Sequence, residues 1–218
     1  AADLALQAFS QAASLEQARA ALLNAMQQHS AALHQVAHRL ELQFTASFGG
    51  IDFSLAPYPD QARSLGLAIE ALGVPGLGQH GSLAAAAILA DTMDQAQFPR
   101  AGFCGLFLPL LEDAVLAQRA AQGLLSVKDL LLYSAVCGTG LDTVPLPGDA
   151  TPEQLQALLL DLAALSCRLE KPLTARLMPI PGKAAGDPTG FDFAYFANSR
   201  VLPLYAQPLT SFLAGEEV

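Results

Sequence analysis

Charged side chains are scarce in this chain of 218 residues, and basic ones are the scarcest. Only 14% of the residues are charged, and 11 Lys and Arg stand against 20 Asp and Glu, which gives a formal net charge of −9 at pH 7. Nucleic acids and anionic membranes are bound by basic surfaces, which this composition does not supply. We therefore expect neither a nucleic-acid nor a membrane partner.

Long apolar runs are also missing, although 52% of the residues are hydrophobic and the mean hydropathy is +0.36. The longest candidate, residues 155–167, is interrupted by Asp161 and falls short of the roughly 18 residues that span a bilayer. The apolar residues therefore predict a large buried core. The chain length suits one α/β domain over residues 1–218.

Cysteine is the third scarce residue. Cys104, Cys137 and Cys167 are odd in number and share no C-x-x-C spacing. This pattern argues against a disulfide framework and against a thiolate metal cluster. A reduced, cytoplasmic location is the simplest expectation.

What the sequence does contain is a regular alternation of helical and extended patterns. Four short apolar segments, at residues 51–55, 102–108, 141–146 and 173–180, are predicted strands. Because helical patterns separate them, the strands should pair mainly in parallel with right-handed crossovers. A final segment, residues 200–204, is a further short β candidate.

A long amphipathic helix is predicted near the start of the chain. Ser14 and Gln17 form a capping box, and helical spacing continues to about Leu42. The apolar stripe of this helix consists of Leu15, Leu22, Met26, Leu33, Val36 and Leu40. Further N-caps are expected at Asp60, Ser82 and Thr151, the last with Gln154 as its box partner.

Two carboxylates lie inside apolar strand segments, Asp52 in the first and Asp142 in the third. An ionised carboxylate there is costly unless it is paired, hydrogen-bonded or bound to a metal. Arg176, in the fourth strand, is the candidate counter-ion. Two interpretations of these charged residues stay open: a buried structural ion pair and a functional site. In the functional interpretation Asp52 and Asp142 are catalytic, while Arg176 and Ser54 contact the substrate.

Two glycine-rich loops carry further candidates. Lys183 lies in PGKAAGD, whose glycines would let the backbone approach a phosphate or carboxylate, although Ala184 stands where a P-loop needs a hydroxyl residue. His80 lies in GLGQHG, which satisfies G-x-G-x-x-G but lacks the preceding strand of a dinucleotide site. We expect Lys183 to bind an anionic substrate and His80 to assist in catalysis or to be a structural loop residue.

Adjacent acidic residues raise the question of a divalent metal. Glu112 and Asp113 follow GFCGLFLPLL, where they could coordinate a hard cation or occupy the first turn of the next helix. His34, His38 and Glu41 share one face of the first long helix, as a metal site would need. A solvated helix surface accounts for these three residues more simply.

Several motifs follow one another between residues 48 and 187: FGGIDFSLAP, GQHG, GLFLPLLED, CGTGLD with VPLPGD, and ARLMPIPGKAAGD. In these motifs the chain resembles the DUF711 family, also called UPF0210, a group of bacterial and archaeal proteins without an established activity. The resemblance implies a fold similar to the α/β barrel of pyruvate formate-lyase and other glycyl radical enzymes. Family members look longer than this chain, which resembles their C-terminal half.

The radical chemistry of those enzymes is not implied by the resemblance. In residues 200–203 the sequence RVLP has Pro203 where an R-V-x-G-Y motif has the radical glycine. Cys137, ahead of a glycine-rich turn, is either a nucleophile or a small buried hydrophobic residue.

Two functions remain open. The first is a non-radical enzyme or metabolite-binding barrel in which Asp52, His80, Asp142, Arg176 and Lys183 converge on a small anionic substrate, with or without a divalent cation. The second is a non-catalytic regulatory or scaffolding protein that binds an effector or a protein partner. A solvent-open pocket would favour the first, and a sealed ion pair beside an apolar outer patch the second. In both cases a homo-oligomer or an N-terminal half is expected to cover the surface.

Overall fold

The computed structural model describes residues 1–214, which form a mixed α/β structure with seven helices and a small parallel sheet. The helices are α1 (Ala2–Gln11), α2 (Leu15–Gln43), α3 (Leu65–Ala71), α4 (Ser82–Asp94), α5 (Ala114–Ala121), α6 (Val127–Tyr133) and α7 (Pro152–Leu169). The strands are β1 (Gly140–Pro147) and β2 (Thr174–Ile180). Short 3₁₀ turns cover residues 61–63, 110–112 and 211–214.

The two strands are the third and fourth of the four that the sequence predicts. They pair in parallel, from Gly140 opposite Thr174 to Pro147 opposite Ile180, and α7 connects them. Thr151 and Gln154 form the expected capping box at the start of α7. Parallel strands need a long connection such as α7. Because the cap of α7 is a local sequence signal, the sequence predicted this strand–helix–strand unit correctly.

The first two predicted strands are reduced to isolated parallel bridges. Ile51 is bridged to Arg100 and Leu55 to Leu106. Between these bridges Gly102 (φ +65°) and Cys104 (φ +44°) leave the extended conformation, so a continuous ladder cannot form.

The four segments nevertheless lie side by side in chain order. The amide of Leu55 donates to the carbonyl of Gly105, and the amide of Gly138 donates to that of Leu106. The amide of Thr174 in turn donates to the carbonyl of Thr139, where β2 begins beside β1. Within residues 1–214 the only sheet is two-stranded, so the described chain forms no closed barrel.

Helix α2 is buried along its first half only. Ser14 caps it by accepting a hydrogen bond from the Gln17 amide. The predicted capping box is incomplete, because the Gln17 side chain accepts from the Ala13 amide rather than from the Ser14 amide. Leu22 and Met26 are fully buried, whereas no residue of α2 after Ser30 is buried. The second half of the predicted apolar stripe therefore projects from the packed body.

Two of the predicted caps differ in detail. Asp60 caps the 3₁₀ turn at residues 61–63, and Ser64 caps α3 itself. Gly81 rather than Ser82 is the N-cap residue of α4, with φ +103°, and the Ser82 hydroxyl instead donates to the carbonyl of Gln79. Residues 200–204 form no strand, although Arg200 makes an isolated antiparallel bridge with Pro188.

No helix within residues 1–214 is both long and apolar enough to cross a membrane.

Candidate functional site

A β-bulge in β1 shapes the principal polar cluster. The register runs from Leu141 opposite Ala175 to Val144 opposite Leu177, so Asp142 and Thr143 together face Arg176 alone. Such a bulge re-aims side chains and is often found beside functional sites. Here it turns Asp142 toward Arg176.

Thr143 carries the strain of this bulge. Its φ is +49°, which is a rare conformation for a β-branched residue. The side chain is fully buried, and its hydroxyl accepts a hydrogen bond of 3.0 Å from the Leu111 amide. This contact ties the bulge to the 3₁₀ turn that carries Glu112.

Arg176 lies between two carboxylates. Its Nε is 2.5 Å from Asp142 Oδ1, and its Nη2 is 2.6 Å from Glu112 Oε1. The Arg176 side chain is 53% exposed, that of Asp142 is 14% exposed and that of Glu112 is 30% exposed. Hydrogen bonding to Asp142 and the charges of both acids raise the pKa of the Arg176 guanidinium, so it stays protonated.

The guanidinium still has hydrogen-bonding capacity. It carries five N–H donors, and within the described residues only Nε and Nη2 have acidic partners. More than half of the Arg176 side chain is exposed to solvent.

Asp52 lies in a separate niche built by backbone amides. Its Oδ1 accepts hydrogen bonds from the Ser54 hydroxyl (2.5 Å), the Ser54 amide (3.1 Å) and the Cys104 amide (3.1 Å), and its Oδ2 accepts one from the Phe103 amide (3.1 Å). Asp52 is exposed, so the structure does not place it in the interior of a sheet as the sequence predicts. Desolvation raises the pKa of its carboxylate, but these hydrogen bonds together outweigh that effect and leave the pKa below its ordinary value. Gly102 is required beside Asp52, because its φ is +65° and a Cβ there would collide with the carboxylate.

The predicted site residues therefore fall into separate groups. Arg176 pairs with Asp142, as the sequence predicts, and not with Asp52. Asp52 lies beside Phe103 and Cys104. Asp142 lies instead beside the 3₁₀ turn that begins at Leu110, several residues later in the chain.

His80 and Lys183 lie apart from both groups. Within residues 1–214 neither side chain forms an ion pair or hydrogen bond with the predicted acidic residues. His80 is exposed in the loop before α4. The carbonyl of Lys183 accepts a hydrogen bond of 3.0 Å from the Gly148 amide, which joins the loops that leave β1 and β2.

Glu112 and Asp113 have different partners. Glu112 binds Arg176, whereas Asp113 is fully buried. Burial raises the pKa of Asp113, and hydrogen bonds oppose this effect. Its five donors are the Ser64 hydroxyl (2.6 Å) and the amides of Leu65 (2.7 Å), Gly66 (3.1 Å), Val115 (2.9 Å) and Leu116 (3.1 Å). Asp113 thus caps α5 and fixes the start of α3.

The carboxylates do not form a metal-ligand set. Within residues 1–214 no group of three or more His, Cys, Asp and Glu side chains converges on one point. On α2, His38 Nδ1 is 3.5 Å from Glu41 Oε2, while Glu41 Oε1 accepts a hydrogen bond of 2.6 Å from the Phe48 amide. The oxygens of Asp113 are already engaged by five donors, so the Glu112 and Asp113 pair does not fit a cation.

One cavity lies away from the polar cluster. It has a volume of about 420 Å³ and lies between α6, α7 and the segment at residues 203–213. Lys128 and Asp161 contribute charge to a mainly apolar lining, and none of the predicted site residues borders the cavity.

Sequence reasoning missed the contact of Glu112 with Arg176 and a second ion pair. Arg119 Nε and Nη2 are 2.6 and 2.8 Å from the two carboxylate oxygens of Glu70, which also accepts a hydrogen bond of 2.8 Å from the Leu77 amide. Both pairs join residues at least 49 positions apart, so no local pattern could indicate them.

Comparison with known proteins gives one consistent family. The family described as "Uncharacterised ACR (DUF711)" matches residues 1–194. A UPF0210 protein of Pyrobaculum arsenaticum is 38% identical over 156 residues, which is 70% of this chain and 35% of the relative. A UPF0210 protein of Lactobacillus delbrueckii subsp. bulgaricus is 35% identical over 164 residues, covering 73% and 36% respectively.

A UPF0210 protein of Syntrophobacter fumaroxidans is 37% identical over 161 residues, covering 72% of this chain and 34% of the relative. Each of these matches spans little more than a third of the relative's own length. The descriptions name no activity. With the family match extending over most of the described residues, the chain belongs to the DUF711 family, also called UPF0210.

Proposed function

We propose that this chain binds a small metabolite carrying a carboxylate or phosphate group, with Arg176 as the anion contact. The observation that supports this function is the asymmetric setting of Arg176. Asp142, the more buried carboxylate, holds Nε, and the Arg176 side chain as a whole is 53% exposed. An oriented guanidinium edge matches the geometry of an oxyanion.

Glu112 is the exchangeable partner in this proposal. It is twice as exposed as Asp142, and it lies on a single 3₁₀ turn rather than in a strand. A ligand oxyanion would replace Glu112 on Nη2 and also reach Nη1. The ligand oxyanion then takes the place of the Glu112 carboxylate, so the number of anionic groups in contact with the guanidinium is unchanged.

Chemistry beyond binding stays a prediction. In a non-radical reaction Asp142 is the best-placed group to move a proton, since it lies next to the proposed anion position. Catalytic roles for Asp52 and His80, and substrate contacts from Lys183 and Ser54, require these groups to approach the bound ligand. No step of the proposal uses a divalent metal.

The test is a calorimetric titration with inorganic phosphate and with acetate. We expect Arg176→Lys to weaken binding about tenfold or more, because Lys lacks the planar fork. Glu112→Gln should tighten binding several-fold by weakening the competing partner. Arg63→Lys is the matched control, since Arg63 is another half-exposed arginine in an ion pair, with Asp60. Equal binding by the wild type and Arg176→Lys, or weaker binding by Glu112→Gln, contradicts the proposal.

We also propose that the four neighbouring chain segments belong to an α/β barrel like that of glycyl radical enzymes, with this chain as the C-terminal half of the family domain. Their parallel order along the chain supports this arrangement. Pro203 excludes a radical glycine at that position. A cytoplasmic location is part of the same proposal.

A regulatory or scaffolding role that binds a protein partner is the second candidate function. It is favoured by the apolar surface on the second half of α2, where several large side chains are exposed.

A further inference from the structure

The second half of α2 presents an uncovered apolar stripe. Leu33, Val36 and Leu40 are 51%, 48% and 48% exposed, and Phe44, just after the helix, is 62% exposed. These residues recur at spacings of three and four, which places them on one helix face. We refer to Leu33, Val36, Leu40 and Phe44 as the distal face of α2.

The distal face continues a surface that is buried elsewhere on the same helix. Leu22 and Met26, about three and two turns before Leu33 on the same side, are fully buried against the body of the protein. The packing of the protein body against this side of α2 ends near Ser30, the last buried residue of the helix. The helix thus has one continuous apolar stripe, of which only the first half has a packing partner.

A preformed groove adjoins the distal face. It has a volume of about 340 Å³ and is lined mainly by apolar side chains, including Ala37, Leu40, Phe44 and Phe48. The backbone after α2 is held against the helix, because the Phe48 amide donates to Glu41 and the Phe48 ring lies tilted against the His34 ring, with 5.7 Å between centroids. An occupant would therefore meet a formed surface.

We propose that the distal face binds the polypeptide that DUF711 proteins carry outside the region matched by this chain. The family match covers residues 1–194, so α2 is itself part of the family domain. About two thirds of each curated relative lies outside the matched region. Apolar stripes that continue out of a core are covered in the complete fold by further elements of that fold.

This inference rests on the proposal that the chain is the C-terminal half of the family domain, and it is independent of ligand binding at Arg176. It also commits to one occupant. A second copy of this chain is less suitable, because two antiparallel distal faces related by a twofold axis near Leu40 would bring Arg39 close to its own counterpart. Within residues 1–214, Arg39 has no acidic side chain at ion-pair distance that would neutralise it.

The test is co-expression of the full 218-residue chain with the unmatched regions of the Pyrobaculum arsenaticum, Lactobacillus delbrueckii and Syntrophobacter fumaroxidans relatives, each tested separately. We expect a 1:1 complex with at least one of them. Leu33→Glu with Leu40→Glu should weaken that complex by about 100-fold or more, because both residues lie at the centre of the contact. Leu159→Glu with Leu169→Glu on α7 is the matched control, since both leucines are exposed to a similar extent.

Three results would overturn the inference. One is the absence of a complex with all three regions at 100-micromolar concentrations. Another is a complex whose affinity does not respond to the Leu33 and Leu40 substitutions. The third is self-association of the 218-residue chain that the same two substitutions abolish, because a second copy would then occupy the distal face. Phosphate binding at Arg176, measured in the double variant, should remain unchanged, which separates this test from that of the proposed function.

Discussion

Replacing Asp113 with alanine is expected to cost about 4–6 kcal/mol of the free energy of unfolding, because one buried acceptor serves five donors. A buried donor left without a partner costs about 1–3 kcal/mol. Five such penalties would sum to about 5–15 kcal/mol, and water and relaxation at the starts of α3 and α5 would recover part of that cost, so the expected total lies near the lower end. Typical domains have only about 5–15 kcal/mol in all.

Thermal unfolding followed by circular dichroism provides the measurement. In a chain of this size each kcal/mol lowers the melting temperature by about 2–4 °C, so Asp113→Ala should melt roughly 10–20 °C lower. Asp113→Asn, which keeps one oxygen acceptor, should lose about half as much. Asp60→Ala is the control, because Asp60 caps a short turn at the surface and its loss should lower the melting temperature much less than Asp113→Ala does. A loss below about 1 kcal/mol for Asp113→Ala would refute the capping role that we assign to Asp113.

Two further predictions concern other acidic groups. The Glu70 carboxylate is partly buried, which raises its pKa, but Arg119 and a backbone amide outweigh this effect and lower the pKa overall. The stabilising contribution of Glu70 is therefore present above the unfolded pKa of about 4.3 and is lost as the pH falls through the lower folded pKa. Glu70→Gln should flatten the acidic part of the curve of unfolding free energy against pH, measured by urea unfolding. Gly102→Ala should cost about 2 kcal/mol or more in the same assay, because positive φ is strained and the new methyl displaces Asp52.

Local signals predicted much of the fold. Thr151 and Gln154 marked the start of α7, and the apolar segments on either side of α7 became β1 and β2. The cost of a carboxylate in an apolar strand correctly suggested a partner for Asp142, and Arg176 is that partner. These features depend on residues close in sequence or on one strongly constrained group.

The conformations of Cys104 and Thr143 could not be predicted in the same way. Neither residue type favours positive φ, so their sequence context indicated extended strands. Tertiary contacts decide the outcome: the Cys104 amide is held by Asp52, and the Thr143 hydroxyl is held by the Leu111 amide. The first two predicted strands were shortened to bridges for the same reason.

Helix α2 shows another limit of sequence patterns. The periodicity correctly identified its apolar face, including Leu22 and Leu40. A period shows which side of a helix is apolar but does not show what packs against it. Only the structure shows that the cover ends near Ser30.

The most direct measurement of the proposed function is the NMR signal of the Arg176 side chain during a titration with inorganic phosphate. If Arg176 binds the anion, its Nε and Nη resonances should shift and reach saturation, and saturation should need less phosphate in Glu112→Gln than in the wild type. The Arg63 resonances should stay in place, since Arg63 lies in a separate ion pair with Asp60. Arg176 signals that move no more than those of Arg63 would contradict an anion site at Arg176.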